Sequence, residues 1–536
     1  MSAILTKRFD AGFSAFESIT EHATQGRDVD YVASGLELLA RTQSTISAAI
    51  RFEDKVTTKF KGVATLCTPA AKYHRIQGNP WIAIDRLERA STSVDDQWHA
   101  EYIASLLLVR RTQKAGEIAL KLSKRKTIPA FLGGRVIDGL LRDLNINALS
   151  QFIHKYRKHN HDHFSSMKIA DAQTTMGQST EAVRTYRNLL SDKNLSLDFQ
   201  TRALAQLAQL TPCDISEQTI RDHLTRHDLR LNAGSKGNLY FALADIYEAA
   251  GDLESMMDAL KHGNALRAQH FGKTSIQYTE LYRQAIQIDD WLDTHQWTQA
   301  NTNQAPARIF VVGLPRSGST LIADYLYRHY DIVNIEESDV TGCMARELVN
   351  ETLTHTPKTP TGFLETWHSR IPTAGLDVHS LVNSAILDKT LSNMFYLGLI
   401  ARVFPNAHFL WVSKPKDQQI WSLFRRNFGN PIQGFSFQAN MIHEALEVET
   451  RLKQRWKAEG TVIHSIPLTS FLNDPDTVLR AIVQAAKLKE RRNKISVTAD
   501  RISITNSKTQ IREGLKQTAY PLDTIKSLIP ELFEGI

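Results

Sequence analysis

Arg308–Tyr330 holds the residues whose types and spacing most directly suggest chemistry. Gly313-Leu314-Pro315-Arg316-Ser317-Gly318-Ser319-Thr320 follows the short apolar run Ile309-Phe310-Val311-Val312. It precedes a pattern that puts Leu321, Ile322, Tyr325 and Leu326 on one helical face. Strand, glycine-bounded loop and helix in that order place backbone N–H groups at the positive end of a helix dipole, a setting that suits a phosphate. The loop falls one residue short of the nucleoside-triphosphatase pattern G-x-x-x-x-G-K-[ST], because Ser319 stands where the lysine belongs. Arg316 supplies a positive charge earlier in the loop, so the expected ligand is a phosphate ester other than ATP or GTP. Further on, Asp331–Ile335 reads as an apolar-rich strand that ends in the adjacent acids Glu336 and Glu337. Carboxylates at a strand's carboxyl end lie where open α/β sheets carry their sites. If the strand continues through them, their side chains point to opposite faces.

Pro315-Arg316-Ser317-Gly318-Ser319-Thr320-Leu321 resembles the P-R-S-G-[ST]-[ST]-L loop of sulfotransferases, which grips the 5′-phosphosulfate of 3′-phosphoadenosine 5′-phosphosulfate (PAPS). The chain is most similar to the bacterial tetratricopeptide-repeat (TPR) sulfotransferases, whose catalytic domain is like that of tyrosylprotein sulfotransferases. The resemblance implies that Glu337 is the base taking the acceptor proton. Asp388-Lys389-Thr390-Leu391-Ser392-Asn393 is similar to the family's D-K-x-P-x-N segment, with Leu391 in place of proline. Lys389 then neutralises charge on the oxygen between phosphate and sulfate. Lys414 and Ser422 match the arginine and serine that hold the 3′-phosphate, with lysine lacking the bidentate fork of arginine. That grip would then be shared with Arg425 or Arg426. Leu468-Thr469 departs from the tyrosine-glutamate pair near the adenine. Thr505–Arg512 resembles the T-x-S-x-x-Q-V-R segment, which implies a 5′-phosphate contact for Ser507 and a 3′-phosphate cover for Lys516. The cofactor implied is PAPS, yielding 3′,5′-adenosine bisphosphate (PAP), with no metal required. The acceptor is a hydroxyl on a peptide or protein, a carbohydrate or a small molecule.

These residues need elements to position them. Strand patterns at His408–Ser413 and Thr461–Pro467, with helices between, give a parallel sheet in a P-loop-like three-layer α/β domain over residues 301–536. Residues 1–300 read as an α-helical TPR-like solenoid. Tyr240, Leu243, Ala244, Tyr247, Gly251, Met256 and Leu260 fit one repeat, and Ala170, Gly177, Ala182 and Tyr186 a second. Leu204–Leu210 and Ile215–Leu224 form a degenerate pair between them. Tyr31–Arg51 and Trp98–Leu122 read as helical pairs with no repeat register assigned, and Lys55–Gln77 fits no clear pattern. Such a surface either recruits the acceptor or a protein partner, or merely packs as a scaffold. His154, His159, His161, Asp162 and His163 cluster at a polar break and read as solvated loop rather than as metal ligands.

The 536 residues, 42% hydrophobic and 23% charged, have the composition of a globular protein of two or three domains. A formal charge of +7 favours a polyanionic cofactor or an acidic acceptor without pointing to nucleic acid. Three scattered cysteines give no disulfide framework. With no apolar run suited to a signal peptide or a membrane span, the expected location is cytoplasmic. Two other classes stay open. A P-loop small-molecule kinase is disfavoured by Ser319 and by the lack of an evident Mg²⁺-binding constellation. A non-catalytic TPR scaffold with a decayed transferase domain is kept in play by Leu391, Lys414 and Leu468.

Overall fold

The computed structural model describes residues 63–90, 94–272, 277–298, 306–349, 357–373, 376–492 and 520–534, with isolated positions before residue 60. Among the described residues, strands begin at Arg308 and everything earlier is helix, turn or coil. The chain packs as two units: Met1–Asn160 with Arg370–Pro372, and His161–Ser369 with Thr373–Ile536. The first holds helices that include Ala64–Ile76, in the stretch without a clear pattern, as well as Asp96–Leu108 and Thr112–Ser123.

In the second unit the helical stretch forms successive pairs. His163–Met176 and Ser179–Leu190 are joined through Gly177, whose left-handed φ of 82° ends the first helix. Leu197–Leu210 and Glu217–His227 follow, then the long pair Ala233–Ala250 and Leu253–Phe271. Ala244 and Ala182, the small residues of the repeat pattern, are buried. Asp162 accepts a hydrogen bond from Ser165 N (2.9 Å) as a helix cap, and His163 Nε2 meets Asp192 Oδ2 at 2.7 Å. Two members of the histidine-rich cluster thus have structural partners.

The sheet is five-stranded and parallel, in the order β2-β3-β1-β4-β5. Its strands are β1 Arg308–Val312, β2 Val333–Asn334, β3 Ile386–Asp388, β4 Ala407–Ser413 and β5 Ile463–Pro467. Alternation along each strand gives the sheet two different faces. Ile309, Val311, Leu410 and Val412 join Ile322 and Leu326 of the loop helix Ser319–His329, together with Leu479 and Ile482. The opposite face is aromatic: Phe310 meets Phe404 and Phe409 at 5.5 and 5.9 Å between ring centroids, and Phe404 meets Trp367 at 4.9 Å. Burial on both faces is why β1 reads as an unbroken apolar run. The architecture is therefore α + α/β.

The order has a functional consequence. From β1 the chain passes to β2 and β3 on one side, then crosses to β4 and β5 on the other. The loops after β1, β3 and β4 thus meet at the carboxyl edge around this reversal, the usual ligand position in an open α/β sheet.

Candidate active site

The loop after β1 is built as much by its neighbours as by its own residues. Gly313 has a φ of 132°, and a Cβ there would lie 2.7 Å from Val412 O. Gly318, at φ 101°, would drive a Cβ to 2.4 Å from Leu468 Cδ1. Both glycines are thus demanded by backbone conformation and by packing on the protein itself. Leu468, which stands where the resemblance expects a tyrosine, is a wall against which the loop closes. Arg316 also adopts a left-handed backbone, φ 69°, a strained state that clusters at functional sites. Gln419 donates from Nε2 to Pro315 O. Gln419 is buried and carried no signal in the sequence.

Beneath the loop, Glu449 of helix Ala439–Ala458 accepts hydrogen bonds on Oε1 from Leu314 N (3.1 Å) and Trp411 Nε1 (3.0 Å). Burial pushes its carboxyl up to about 7, although these donors and Lys453 oppose the shift. A folded value above the ordinary 4.5 means that the folded protein keeps a proton which the unfolded chain releases, so stability falls as pH rises from there towards 7. Glu449→Gln retains an acceptor for both donors and removes that ionisation. Its melting temperature should match the wild type near about pH 4 and exceed it near about pH 8. Equal melting at both pH values would show that the carboxyl ionises without cost.

Ser317, Ser319 and Thr320 are buried at the start of the loop helix. Ser317 Oγ has no hydrogen-bond partner among the described residues, a vacancy a ligand oxygen would fill. Thr320 Oγ1 receives Lys389 Nζ at 3.5 Å. Lys389 follows β3 and is fully buried. Its Nζ lies 3.0 Å from Glu337 Oε1 and 3.4 Å from Glu336 Oε2. The pairing loop, the lysine and the acids therefore converge.

The acids do not alternate as an extended strand requires. β2 ends at Asn334, whose Oδ1 accepts Glu336 N (3.0 Å) and whose Nδ2 donates to Glu336 Oε1 (3.1 Å). Glu336 then turns through a positive φ of 55°, and its carbonyl accepts Lys389 N at 3.1 Å. With the strand broken at this Asn-initiated turn, both carboxylates reach the same ammonium. They differ in access: the Glu336 side chain is 3% exposed and that of Glu337 is 40% exposed.

Lys414, just past β4, stands with Arg316 in a second basic group. Burial and the nearby Arg316 pull the Lys414 ammonium down to about 7. Burial and Arg426 pull the Arg316 guanidinium down to about 9. Two cations that each disfavour the other's charge are eased by an anion beside them. Ser422 is half-buried on helix Lys416–Phe424, two turns beyond Lys414. Ser507 and Lys516 lie outside the described residues.

Residues 306–491, which contain all five strands, match the profile of the Sulfotransferase family. Over this stretch the chain is similar to sulfotransferases. Elsewhere the similarity is thinner. An uncharacterized protein of Aquifex aeolicus (strain VF5) is 22% identical over 293 residues, which are 52% of this chain and 38% of that protein. The chain therefore spans well under half the length of that curated relative. The crystal structure of the sulfotransferase STF1 from Mycobacterium tuberculosis H37Rv (type1 form) aligns over 60% of this chain and 99% of its own at 12% identity, with a TM-score of 0.23, too loose an overlap to bear on fold or activity. Among the described residues, no helix is long and apolar enough to cross a membrane.

Proposed function

We propose that the protein is a PAPS-dependent sulfotransferase acting on a hydroxyl-bearing acceptor. The observation that carries this is Lys389 Nζ, buried where the loop hydroxyl of Thr320, the solvent-reaching carboxylate of Glu337 and the buried Glu336 meet. A fixed cation next to an accessible base, at the mouth of an anion-binding loop, is what displacement by a hydroxyl at a phosphate-linked centre needs. The residues fit the cofactor: Ser317 Oγ lacks a protein partner among the described residues, and Arg316 and Lys414 repel one another.

PAPS, when bound, supplies the sulfuryl group and leaves as PAP. The 5′ side would be held by Arg316, by the hydroxyls of Ser317, Ser319 and Thr320, and by the N–H groups opening the helix at Gly318. Lys414 and Ser422 would hold the 3′-phosphate. Glu337 accepts the proton of the acceptor hydroxyl. Lys389 stabilises negative charge developing beside Thr320, with Glu336 as its permanent counter-ion. In this proposal residues 1–300 form the TPR-like part and carry the acceptor or partner surface, residues 301–536 form the transferase part, and the location is cytoplasmic.

Calorimetry of PAP against ADP, both without Mg²⁺, tests the cofactor. One charge-assisted phosphate contact is worth a factor of roughly 10–100, so PAP should bind tighter than ADP by at least that much. Equal affinities, or an absolute Mg²⁺ requirement, would return the protein to the phosphotransferase class.

A further inference from the structure

The loop that carries Glu337 has an unusual backbone at both ends. Glu336 and Asp339, on either side of the Glu337-Ser338 pair, have positive φ values of 55° and 51°. Left-handed states at residues other than glycine cost free energy and persist where the surroundings over-determine them. Here the surroundings are the loop that follows β3. Ile335 N donates to Leu387 O (3.0 Å) and Lys389 N to Glu336 O (3.1 Å), so the two loops run on together past β2. At the far end Asp339 N donates to Thr390 Oγ1 at 3.1 Å. Glu337 is thus bracketed: Lys389 holds the backbone before it and Thr390 the backbone after it.

Thr390 is itself firmly held. It is buried, its N–H donates to Asp388 Oδ1 (2.8 Å), and its carbonyl accepts Asn393 N (2.9 Å). Its backbone is extended (φ −75°, ψ 98°) ahead of the short helix Leu391–Phe395. A proline at position 391, as in the resembled segment, would keep residue 390 extended by sterics alone. With Leu391 there, these hydrogen bonds take that part. Beyond Asp339, helix Val340–Val349 has a separate anchor, since Trp367 Nε1 donates to Thr341 Oγ1 (2.9 Å). The Thr390 hydroxyl therefore acts on the short stretch between Glu337 and Asp339.

We infer that Thr390 is a positioning residue of the candidate active site: its hydroxyl fixes the backbone carrying Glu337, so that this carboxylate meets the Lys389 ammonium. The Glu337 side chain is 40% exposed and has little packing of its own to orient it, so the backbone must do so. A displacement of about 1 Å at a reacting group costs up to about 10² in rate, which makes one buried hydroxyl enough to matter. The inference rests on the sulfotransferase reading for the task of Glu337, but not for the brace that holds it.

The full chain is tested by amide hydrogen exchange and by PAP release from PAPS, with 4-nitrophenol supplied as the hydroxyl. In the wild type the Asp339 amide, which lies outside helix and strand, should exchange slowly. Thr390→Val keeps the shape and loses the hydroxyl, so it should speed that exchange about 3- to 10-fold. It should cut turnover roughly 10- to 100-fold with PAP affinity nearly unchanged. Thr390→Ser should recover most of both. In the Glu337→Gln background, Thr390→Val should cost less than about threefold, because a residue acting through Glu337 has nothing left to position. A general loosening of the fold would add its full cost there and weaken PAP as well. Should Thr390→Val fail to fold, Thr390→Ala and the wild-type exchange at Asp339 carry the test. An unprotected Asp339 amide in the wild type, an equal loss in the two backgrounds, or no recovery with serine overturns the inference. A protected amide that loss of the hydroxyl frees, in a chain that binds neither PAPS nor PAP, would uphold the brace and sink the sulfotransferase reading instead.

Discussion

Glu337→Gln is expected to cut turnover by about 10²–10⁴ while leaving PAP affinity nearly unchanged, because placed-base catalysis is worth that factor and the amide cannot accept the proton. Two features separate Glu337 from its neighbour. Its side chain is 40% exposed where that of Glu336 is 3% exposed, so an acceptor arriving from solvent can reach it. It also leaves Lys389 with a counter-ion when mutated, since Glu336 Oε2 remains 3.4 Å away. The glutamine variant should therefore keep its melting temperature. Glu336→Gln should show the reverse balance. It disturbs the turn held by Asn334 and leaves the lysine with a half-exposed partner, so it should lower the melting temperature with the smaller loss of turnover. Turnover and melting of both variants, on any acceptor found, decide the matter. If Glu336→Gln is inactive at an unchanged melting temperature, the buried acid is the base. If neither variant is impaired, neither carboxylate is.

What the sequence made legible was local. The β1–loop–helix unit announces itself because a strand buried on both faces is a continuous apolar run, and because two glycines fall where the loop cannot hold a Cβ. The strands at β4 and β5 and the helix pairs around Gly177 and Gly251 follow from similar short-range patterns. The direction of Glu336 was not legible from alternation, although Asn334 two residues earlier is a signal for the turn that reverses it. Lys389 is an ordinary residue in its own neighbourhood. Its significance comes from a position 3.0 Å from a residue 52 places away. Gln419 and Glu449 are less legible still, since each acts on a loop segment more than 100 positions away through partly buried polar contacts. Leu468 departs from the resembled pattern, yet it has a function of its own as the surface that excludes a side chain at position 318.

Lys389→Met should lower turnover by about 10²–10³, the cost of removing one preorganised charge donor from a transition state. It should also cost stability, because Glu336 is buried and loses its cation. Breaking a buried pair by removing one partner typically costs about 3–5 kcal/mol. A loss of folding could imitate a loss of catalysis, so the discriminating readout is turnover per folded molecule, with PAP affinity measured beside it. PAP affinity should fall less than turnover does. Turnover reduced only in proportion to the folded fraction would make Lys389 a structural counter-ion and remove it from the chemistry.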